Sequence, residues 1–416
     1  MMIDSGNTAW VIVATALVLL MTIPGLAFFY GGLVKRKNLL SILMQCFVSL
    51  AVVSLLWAAV GYSLTFAPGH GILKGFIGGF DWAFLNGVGL DPSPYPFDAT
   101  IARIPHVLFM MFQMMFAVIT PALIVGAFAE RMKFSAFLWF TVLWSLFVYA
   151  PIAHWLWASD GWLFKMGAVD FAGGIVVHVN AGVAALVAAL VIGRRTNLKA
   201  THPHNLAFTA LGTGLLWFGW FGFNAGSALA ANGLAANALM TTHLAGCAAA
   251  VMWLILDWIV LKRPTVLGIA TGAVAGLAAI TPASGYVTAS GAVVIGVGVS
   301  LIAYFFVVVI KPLIGYDDAL DAFGVHGVGG VWGSIMVGVF ASPWVNPLVK
   351  GALFGNMKQL EIQLFAVFVT LLYSLIVTLI IFLVLDKVMG VRVSGKEEAM
   401  GLDISYHNER AYTLIE

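Results

Sequence analysis

Two matched pairs of ionisable residues lie inside long apolar stretches of this sequence. Asp170 is followed eight positions later by His178, and Asp318 is followed eight positions later by His326. An ionisable side chain is costly inside a membrane and is by default a functional candidate there. Along a helix, eight positions cover about 12 Å, a little under half of a roughly 30 Å hydrocarbon layer. Aspartates near the membrane faces would therefore place both imidazoles, which titrate near neutral pH, close to its middle.

Each of these residue types also has a structural explanation. An aspartate that opens a helix usually caps it, so Asp170 and Asp318 can be structural without touching a ligand. A single membrane histidine is usually bonded to a neighbouring backbone group, but two at matched positions are harder to explain in that way. We interpret five of the seven other histidines as boundary residues (His106 and His154), loop residues (His202 and His204) and a core residue (His243).

The composition is that of a membrane protein with several spans. Hydrophobic residues make up 62% of the 416 residues and charged residues 9%, whereas about 25% is the usual charged share. The net charge of +2 gives no sign of nucleic-acid binding. The two cysteines, Cys46 and Cys247, lie in separate apolar segments without CxxC spacing, which favours free core thiols.

Eleven apolar segments predict an all-α polytopic membrane protein with eleven transmembrane helices. They are Thr8–Tyr30, Leu39–Phe66, Ile104–Phe128, Phe134–Trp155, Val169–Ile192, Asn205–Gly226, Asn237–Val260, Val266–Ile280, Ser290–Ile310, Ala319–Phe340 and Glu361–Val388. If the N-terminus lies outside and the C-terminus inside, 15 of the 20 Lys and Arg residues fall on the inner side. Inner sides are usually enriched in basic residues, so the bias favours this orientation.

The two Asp–His stretches fall in the fifth and the tenth predicted helices. Because five is odd, two successive five-helix units must run in opposite directions, as in an inverted repeat with its site at the midplane. We therefore predict a transmembrane domain over residues 1–390 and a cytoplasmic regulatory tail over residues 391–416. Within the domain, the repeats cover roughly 8–192 and 205–340, and the last helix covers roughly 361–388.

A second group of residues gathers on the predicted outer side. Phe112 and Phe116 are four positions apart and so share one helix face. Trp157, Phe223 and Ser227 also fall at outer helix ends, with Asp170 nearby. Aromatic faces beside a hydroxyl and a carboxylate would attract a small cation, with about 0.5–2 kcal/mol of cation–π energy. The alternative is an ordinary aromatic belt at the membrane boundary.

These residues sit in motifs that resemble the ammonium transporters of the Amt family, which also includes the methylammonium permeases and the Rh proteins. The resemblance is closest to the Amt branch and covers nearly the whole chain. The matching stretches are PGLAFFYGGLVKRKN (Pro24–Asn38), GAFAERMKFSA (Gly126–Ala136), DFAGGIVVHVNAG (Asp170–Gly182), GWFGFNAGSA (Gly219–Ala228), ITPASGYV (Ile280–Val287), DAFGVHGVGG (Asp321–Gly330) and GLDISYHNERAY (Gly401–Tyr412).

The resemblance implies a role for each candidate residue. Phe112, Trp157 and Ser227 match the family's ammonium recruitment site. Asp170 matches an aspartate that is needed for recruitment but does not contact ammonium. Phe116 and Phe223 match the stacked rings that block the pore. His178 and His326 match the twin histidines of the pore and proton path. Trp220 matches a tryptophan that lines the pore, and Asp318 is the repeat counterpart of Asp170. Met114 and Met115 depart from the small residues that are frequent there, which could alter packing around the gate.

The resemblance also implies partners and a location. The family is trimeric, with one pore per subunit, and is often regulated by a cytoplasmic PII-type protein. Ammonium, or ammonia, is the expected substrate, with methylammonium as an analogue, and neither a cofactor nor a metal is expected. The expected location is the cell membrane of a prokaryote, with several spans surrounded by lipid.

Physical chemistry favours one mechanism, and two other classes stay open. Bringing a small cation into a low-dielectric interior costs of order 20 kcal/mol, whereas deprotonating ammonium, with a pKa of about 9, costs roughly 3 kcal/mol near neutral pH. We expect NH3 to cross the pore and the proton to pass separately along the histidines, so that transport is electrogenic. The alternatives are a haem- or metal-binding electron carrier and an ammonium sensor with low flux, which the short tail disfavours. The sequence shows neither a nucleophile paired with a base nor a phosphate-binding loop, so nothing in it indicates an enzyme.

Overall fold

The computed structural model describes residues 2–95, 102–196 and 202–412. Among these residues, eleven long apolar helices follow one another: α1 Ser5–Leu33, α2 Arg36–Phe66, α3 His106–Phe128, α4 Phe134–Met166, α5 Gly174–Ile192, α6 Leu206–Gly226, α7 Gly233–Leu261, α8 Val266–Ile280, α9 Ala289–Ile314, α10 Phe323–Phe340 and α11 Met357–Met389. Ten are long and apolar enough to cross a membrane, and α8 is shorter, with 15 residues. The chain is therefore a helical membrane protein with several spans.

Polar side chains before the helices set where several of them begin. α1 starts at Ser5 rather than at Thr8 because the Asp4 carboxylate accepts the Asn7 backbone N–H at 2.7 Å. α7 starts at Gly233 rather than at Asn237 because Asn232 caps it in the same way. Such caps satisfy backbone donors that have no partner within the helix. These helices thus begin earlier than their apolar runs do.

Two helix pairs share an unusual local geometry. α5 and α10 each begin with a π-helical turn, Gly174–Val179 and Phe323–Gly327, and each of these turns contains one of the predicted histidines. α4 and α9 contain π-helical turns as well, at Ser145–Tyr149 and Phe306–Ile310. Turns of this type frequently occur at functional sites. α1 and α2 also contain such turns, at Met21–Leu26 and Trp57–Gly61, whereas α6 and α7 do not, so these turns do not follow a five-helix period.

α5 and α10 cross with their backbones almost in contact. A β-carbon added to Gly182 of α5 would lie 2.1 Å from the Gly327 Cα of α10. One turn along α10, a β-carbon on Gly330 would lie 2.7 Å from the Val179 backbone nitrogen of α5. Close approach through small residues is the usual basis of helix packing in membranes, where no hydrophobic force drives helices together. The glycines therefore fix the distance between the two histidine-bearing turns.

Buried polar side chains tie α11 to the other helices. The Gln363 amide donates to the carbonyl oxygens of Val169 and Ser334, at 2.9 and 3.1 Å, and accepts the Val169 backbone N–H at 2.9 Å. Two to three turns further on, the Ser374 hydroxyl donates to the Asn180 side-chain oxygen at 2.8 Å. In an apolar surrounding such bonds are needed to compensate buried polar groups. Through these hydrogen bonds, α11 is linked to the segment before α5, to α5 itself and to α10.

Charged residues in the loops form a buried network at one end of the molecule. The C-terminal segment packs at the same end. Arg195 pairs with the carboxylates of Asp317, at 2.8 Å, and Glu130, at 3.2 Å. The Arg131 guanidinium is fully buried and donates to the Asp317 carbonyl oxygen. Burial alone would raise the pKa of the Asp317 carboxyl, but its bonds to Arg195 and the charge of Arg131 lower the pKa to about 2.

The C-terminal segment packs against this end through two short helices, α12 Gly395–Met400 and α13 Leu402–His407. Glu398 receives a hydrogen bond from the Thr196 backbone at 2.7 Å and pairs with Arg392 at 2.9 Å. Asp403 of α13 accepts the Ser41 backbone N–H of α2 at 2.8 Å. The tail thus contacts loops and helix ends that are far apart in the sequence.

Candidate functional site

The two histidines predicted at the centre of the membrane lie side by side. The ring centroids of His178 and His326 are 5.2 Å apart, and the ring planes are within 12° of parallel. Both side chains are buried, and both nitrogens of His178 and Nδ1 of His326 have no hydrogen-bond partner in the described protein. Buried polar atoms are normally paired, so unpaired ring nitrogens point to a ligand or a proton carrier between the rings.

Both aspartates cap the helices that carry the histidines. The two Asp170 carboxylate oxygens accept four backbone N–H groups, from Gly173 to Val176, at 2.6–3.0 Å. Asp318 accepts two, from Ala322 and Phe323, at 3.1 and 2.7 Å. Helix capping, the structural explanation for an aspartate at a helix start, therefore applies to both Asp170 and Asp318. The same bonds fix the start of each π-helical turn, so the aspartates also orient the histidines.

An aromatic stack separates the histidines from one side of the molecule. The ring centroids of Phe116 and Phe223 lie 4.3 Å apart, and Phe223 lies 6.0 Å from the His178 ring. Trp220 flanks His178 at 5.5 Å and donates through Nε1 to the Thr281 hydroxyl at 2.9 Å. Phe116, Phe223 and Trp220 are at most 1% exposed. The ring pair therefore lies between the histidines and that side of the molecule.

A cavity of about 520 Å³ lies on the far side of this ring pair. Its wall includes four of the residues predicted from the sequence: Phe116, Trp157, Asp170 and Ser227. Trp157 is held in place by its Nε1, which donates to the Asp170 carbonyl oxygen at 2.9 Å. The Ser227 hydroxyl donates to the Phe223 carbonyl oxygen at 2.8 Å, so its own oxygen is available as an acceptor. We call this cavity the vestibule.

Phe112 does not lie on the vestibule wall. Its side chain is fully buried behind Phe116, at a centroid distance of 5.0 Å and an interplanar angle of 71°. It also packs against Gly226, where an added β-carbon would meet the Phe112 ring at 2.9 Å. Phe112 therefore packs against the Phe116 ring from behind rather than facing the cavity.

The vestibule also contains residues that the sequence interpretation does not single out. Gln113 lies on its wall, and the Oε1 atom of Gln113 is buried without a hydrogen-bond partner. Tyr286 and Asn346 reach the wall from the segments that follow α8 and α10. Gln113 follows Phe112 directly, and a polar residue inside the apolar run of α3 is the one signal that could indicate it. The other two carry no such signal.

Three further histidines lie outside the central pair. His106 is the first residue of α3, and His154 lies in the last turn of the helical segment that ends at Trp157. Both are buried, and they contact the Tyr62 hydroxyl at 2.6 Å and the Thr65 carbonyl oxygen at 2.8 Å, respectively. The prediction for His243 is wrong, because its side chain is exposed on α7 instead of lying in the core. These three histidines contribute nothing to the vestibule wall.

Within the part of the chain that the structure describes, no three His, Cys, Asp or Glu side chains come together as a metal site. Cys46 is buried and Cys247 is half-buried, and both are free thiols. The histidine pair is instead surrounded by Trp220, Phe223 and backbone. The ring nitrogens of the pair are therefore enclosed by apolar and aromatic side chains.

Comparison with known proteins places this geometry in a family. The model of the Ammonium Transporter Family matches residues 9–412. The chain is 49% identical to the ammonium transporter of Bacillus subtilis (strain 168), over 98% of both chains. It is 48% identical to the ammonium transporter Amt1 of Archaeoglobus fulgidus, over 99% of this chain and 100% of that one.

Two solved structures have the same fold as this chain. The crystal structure of Saccharomyces cerevisiae Mep2 superposes with a TM-score of 0.87 and 35% identity, over 95% of this chain and 89% of that chain. A structure titled Sensor Amt Protein gives a TM-score of 0.87 and 33% identity, over 96% and 98% of the two chains. The chain belongs to the Ammonium Transporter Family.

Proposed function

We propose that this ammonium transporter recruits NH4+ in the vestibule, removes one proton beneath the ring pair, and passes NH3 along the two histidines. Transport rather than catalysis is the activity that family membership supports. The observation that carries the mechanism is the histidine pair: two buried imidazoles 5.2 Å apart, with unpaired nitrogens, beyond a closed aromatic gate.

Recruitment is supported by the electrostatics of the vestibule. Trp157 and Phe116 line the vestibule, and a cation over an aromatic ring face gains about 0.5–2 kcal/mol. The Ser227 oxygen can accept an ammonium N–H. Asp170 adds a negative charge at the wall, although its oxygens are already occupied by backbone donors. Phe112, which lies behind Phe116, contributes by holding that ring.

Deprotonation is supported by the relative costs of two routes. Moving the intact cation past Phe116 and Phe223 into the dry interior would cost of order 20 kcal/mol in the idealised limit. Giving up a proton near neutral pH costs roughly 3 kcal/mol, so the neutral molecule is the cheaper cargo. Potassium has no proton to lose and is therefore excluded.

The proton then crosses on a separate path. In this proposal it passes from the vestibule side to His178 and then to His326, whose rings are adjacent and nearly parallel. Imidazole is suited to this task because one ring nitrogen can accept a proton while the other donates one. NH3 is reprotonated on the far side, so one positive charge is transferred for each ammonium. Trp220 lines this path beside His178.

We infer the assembly and orientation from the same family membership. The proposed form is a homotrimer in the cell membrane of a prokaryote, with the N-terminus outside and the C-terminus inside. The two five-helix repeats would be related by inversion, with Asp318 as the counterpart of Asp170. Residues 391–416, of which 413–416 lie outside the described residues, would form a cytoplasmic regulatory tail that a PII-type protein could contact.

The test is an electrical measurement on purified protein in liposomes. Ammonium pulses on a solid-supported membrane should give currents that potassium does not give. Replacing His178 and His326 together by alanine should abolish the current or its selectivity for ammonium over potassium. An undiminished and equally selective current in the double variant would overturn the proposed path.

An ammonium sensor with low flux is the second candidate, because one matching structure is titled Sensor Amt Protein. The same recordings separate the two functions. A transporter gives sustained ammonium-dependent charge movement that scales with the gradient. A sensor gives ammonium binding, measured by calorimetry, with no more charge movement than protein-free liposomes.

A further inference from the structure

The vestibule is much larger than the ion that it is proposed to recruit. Its volume is about 520 Å³, whereas a water molecule, which is similar in size to ammonium, takes up roughly 30 Å³ in the liquid. Cavities of about 300–1,000 Å³ are those in which proteins usually bind organic molecules. The vestibule also opens to the surface, because its lining residues Leu348 and Phe164 are 74% and 38% exposed. It therefore has room for a cation that carries a larger group.

A second set of aromatic rings lines the vestibule: Phe66, Tyr95 and Phe109. We call it the second ring cluster. Tyr95 and Phe109 stack with centroids 4.6 Å apart and planes within 5° of parallel, and the Phe66 ring meets both edge-on, at 5.2 and 5.1 Å. Phe109 lies seven residues before Phe116, which corresponds to two turns of α3, or about 10 Å. The vestibule thus has aromatic rings in its wall at two levels.

The charge of the vestibule wall favours a cation. Of the described residues that line it, Asp170 alone is charged, so no basic side chain in this wall opposes a cationic ligand. Trp157 contacts Asp170 directly, because its Nε1–H donates to the Asp170 carbonyl oxygen at 2.9 Å. A cationic group at Trp157 would therefore lie close to the carboxylate-bearing residue of the wall. Clusters of aromatic rings are also the usual means by which proteins recognise quaternary ammonium groups.

We propose that the vestibule binds organic quaternary ammonium ions that carry an apolar arm, and that these ions block ammonium transport. This inference rests on the proposed recruitment of NH4+ in the same cavity. The quaternary head lies at Trp157 and Phe116, and the arm extends towards the second ring cluster. The head has no N–H to give up, and the rings of Phe116 and Phe223 pack with centroids 4.3 Å apart below it. The ion therefore stays in the vestibule and competes with NH4+.

The test uses three probes on the full-length protein in liposomes, with ammonium currents recorded on a solid-supported membrane. The probes are phenylpropyl-trimethylammonium, tetramethylammonium, which lacks the arm, and phenylpropanol, which lacks the charge. The arm-bearing ion should raise the apparent KM for ammonium and leave the maximal current unchanged. It should do so at about one tenth of the tetramethylammonium concentration, a difference of about 1.4 kcal/mol that burial of the arm supplies. Phenylpropanol should have no effect at the same concentration.

Three results would overturn the proposal. They are an arm-bearing ion that is no more potent than tetramethylammonium, equal inhibition by phenylpropanol, and a lower maximal current at an unchanged KM. Calorimetry of the arm-bearing ion with the wild-type protein in nanodiscs separates this inference from the transport mechanism. Binding in the absence of any ammonium current would support the inference and contradict only the proposed function. Ammonium current without such binding would overturn the inference and leave the proposed function intact.

A matched pair of variants tests where the arm lies. Phe109→Leu removes one ring of the second ring cluster and keeps an apolar side chain in its place. It should weaken inhibition by the arm-bearing ion about threefold, the loss expected for one aromatic contact, and leave inhibition by tetramethylammonium unchanged. Phe128→Leu, which is also buried on α3 but lies outside the vestibule lining, should inhibit like the wild type. Equal potency of the arm-bearing ion in both variants would place its arm elsewhere and overturn the proposal.

Discussion

Gly182 of α5 lies against Gly327 of α10, and a β-carbon on Gly182 would come within 2.1 Å of the Gly327 Cα. Each glycine lies about one turn or less from one of the two central histidines: Gly182 is four residues after His178, and Gly327 directly follows His326. The contact between two backbones therefore sets the spacing between two imidazoles.

Gly182→Ala is expected to separate α5 from α10 and to impair transport. Overpacking of this kind costs about 1–3 kcal/mol, and the two rings would move apart with the helices that carry them. Ammonium current and thermal unfolding in detergent measure the two effects. Gly214→Ala on α6, where an added β-carbon meets nothing within 4 Å, is the control and should leave both unchanged. A fully active Gly182→Ala variant would contradict the role of this contact.

Asp170→Ala should destabilise the protein more than Asp318→Ala. The first change leaves four backbone N–H groups without an acceptor and the second leaves two. Loss of a helix cap costs about 0.5–2 kcal/mol, and we expect Asp170 at the upper end of that range. Unfolding temperatures of the two variants, compared with the wild type in the same detergent, test the order. Equal losses would show that the number of bonds does not decide the effect.

The ion pair of Asp317 predicts how stability depends on pH. Its pKa in the folded protein, about 2, lies below its ordinary value of 3.8, so the ionised form stabilises the fold. This contribution, about 2 kcal/mol, is complete above roughly pH 4 and disappears as the pH falls towards 2. The stability gap between wild type and Asp317→Asn should therefore narrow between pH 5 and pH 2, a range of about three units around these pKa values.

A variant of Arg195, the ion-pair partner of Asp317, tests whether this ion pair causes the pH dependence. Arg195→Gln removes the main group that holds the Asp317 carboxylate in its ionised form. It should show the same narrowing of the gap in thermal unfolding scans. A gap that stays constant down to pH 2 would assign the acid sensitivity to other carboxyl groups.

Glu398→Gln should loosen the C-terminal segment without unfolding the helical core. The carboxylate accepts the Thr196 backbone N–H and pairs with Arg392, and both contacts weaken when the charge is lost. Hydrogen exchange of the peptide that contains α12 should become faster, while exchange in α5 and α10 should not change. Glu409→Gln, at an exposed position beyond α13, is the control. Unchanged exchange in α12 would mean that other contacts hold the tail.

Local residue patterns predict the long helices, because an apolar run of sufficient length is visible in the sequence alone. Within the described residues, apolar runs coincide with ten long helices and with the shorter α8, and the eight-residue spacing points to His178 and His326, which the structure places side by side. The π-helical turns are not predictable in this way, because no residue type distinguishes their hydrogen-bond register. The position of Phe112 behind Phe116, and of Tyr286 on the vestibule wall, depends on how distant segments meet. His243 is misplaced because a single histidine does not reveal which helix face is buried.

The bonds of Gln363 restrict how this protein can move. They join the entry to α5 with the middle of α10, and these two helices carry His178 and His326. Many transporters expose their substrate to each side in turn by rocking one half against the other. Here such rocking would have to break buried hydrogen bonds in an apolar surrounding, where each loss is expensive. Opening is therefore expected to come from rotation of individual side chains within a stationary frame.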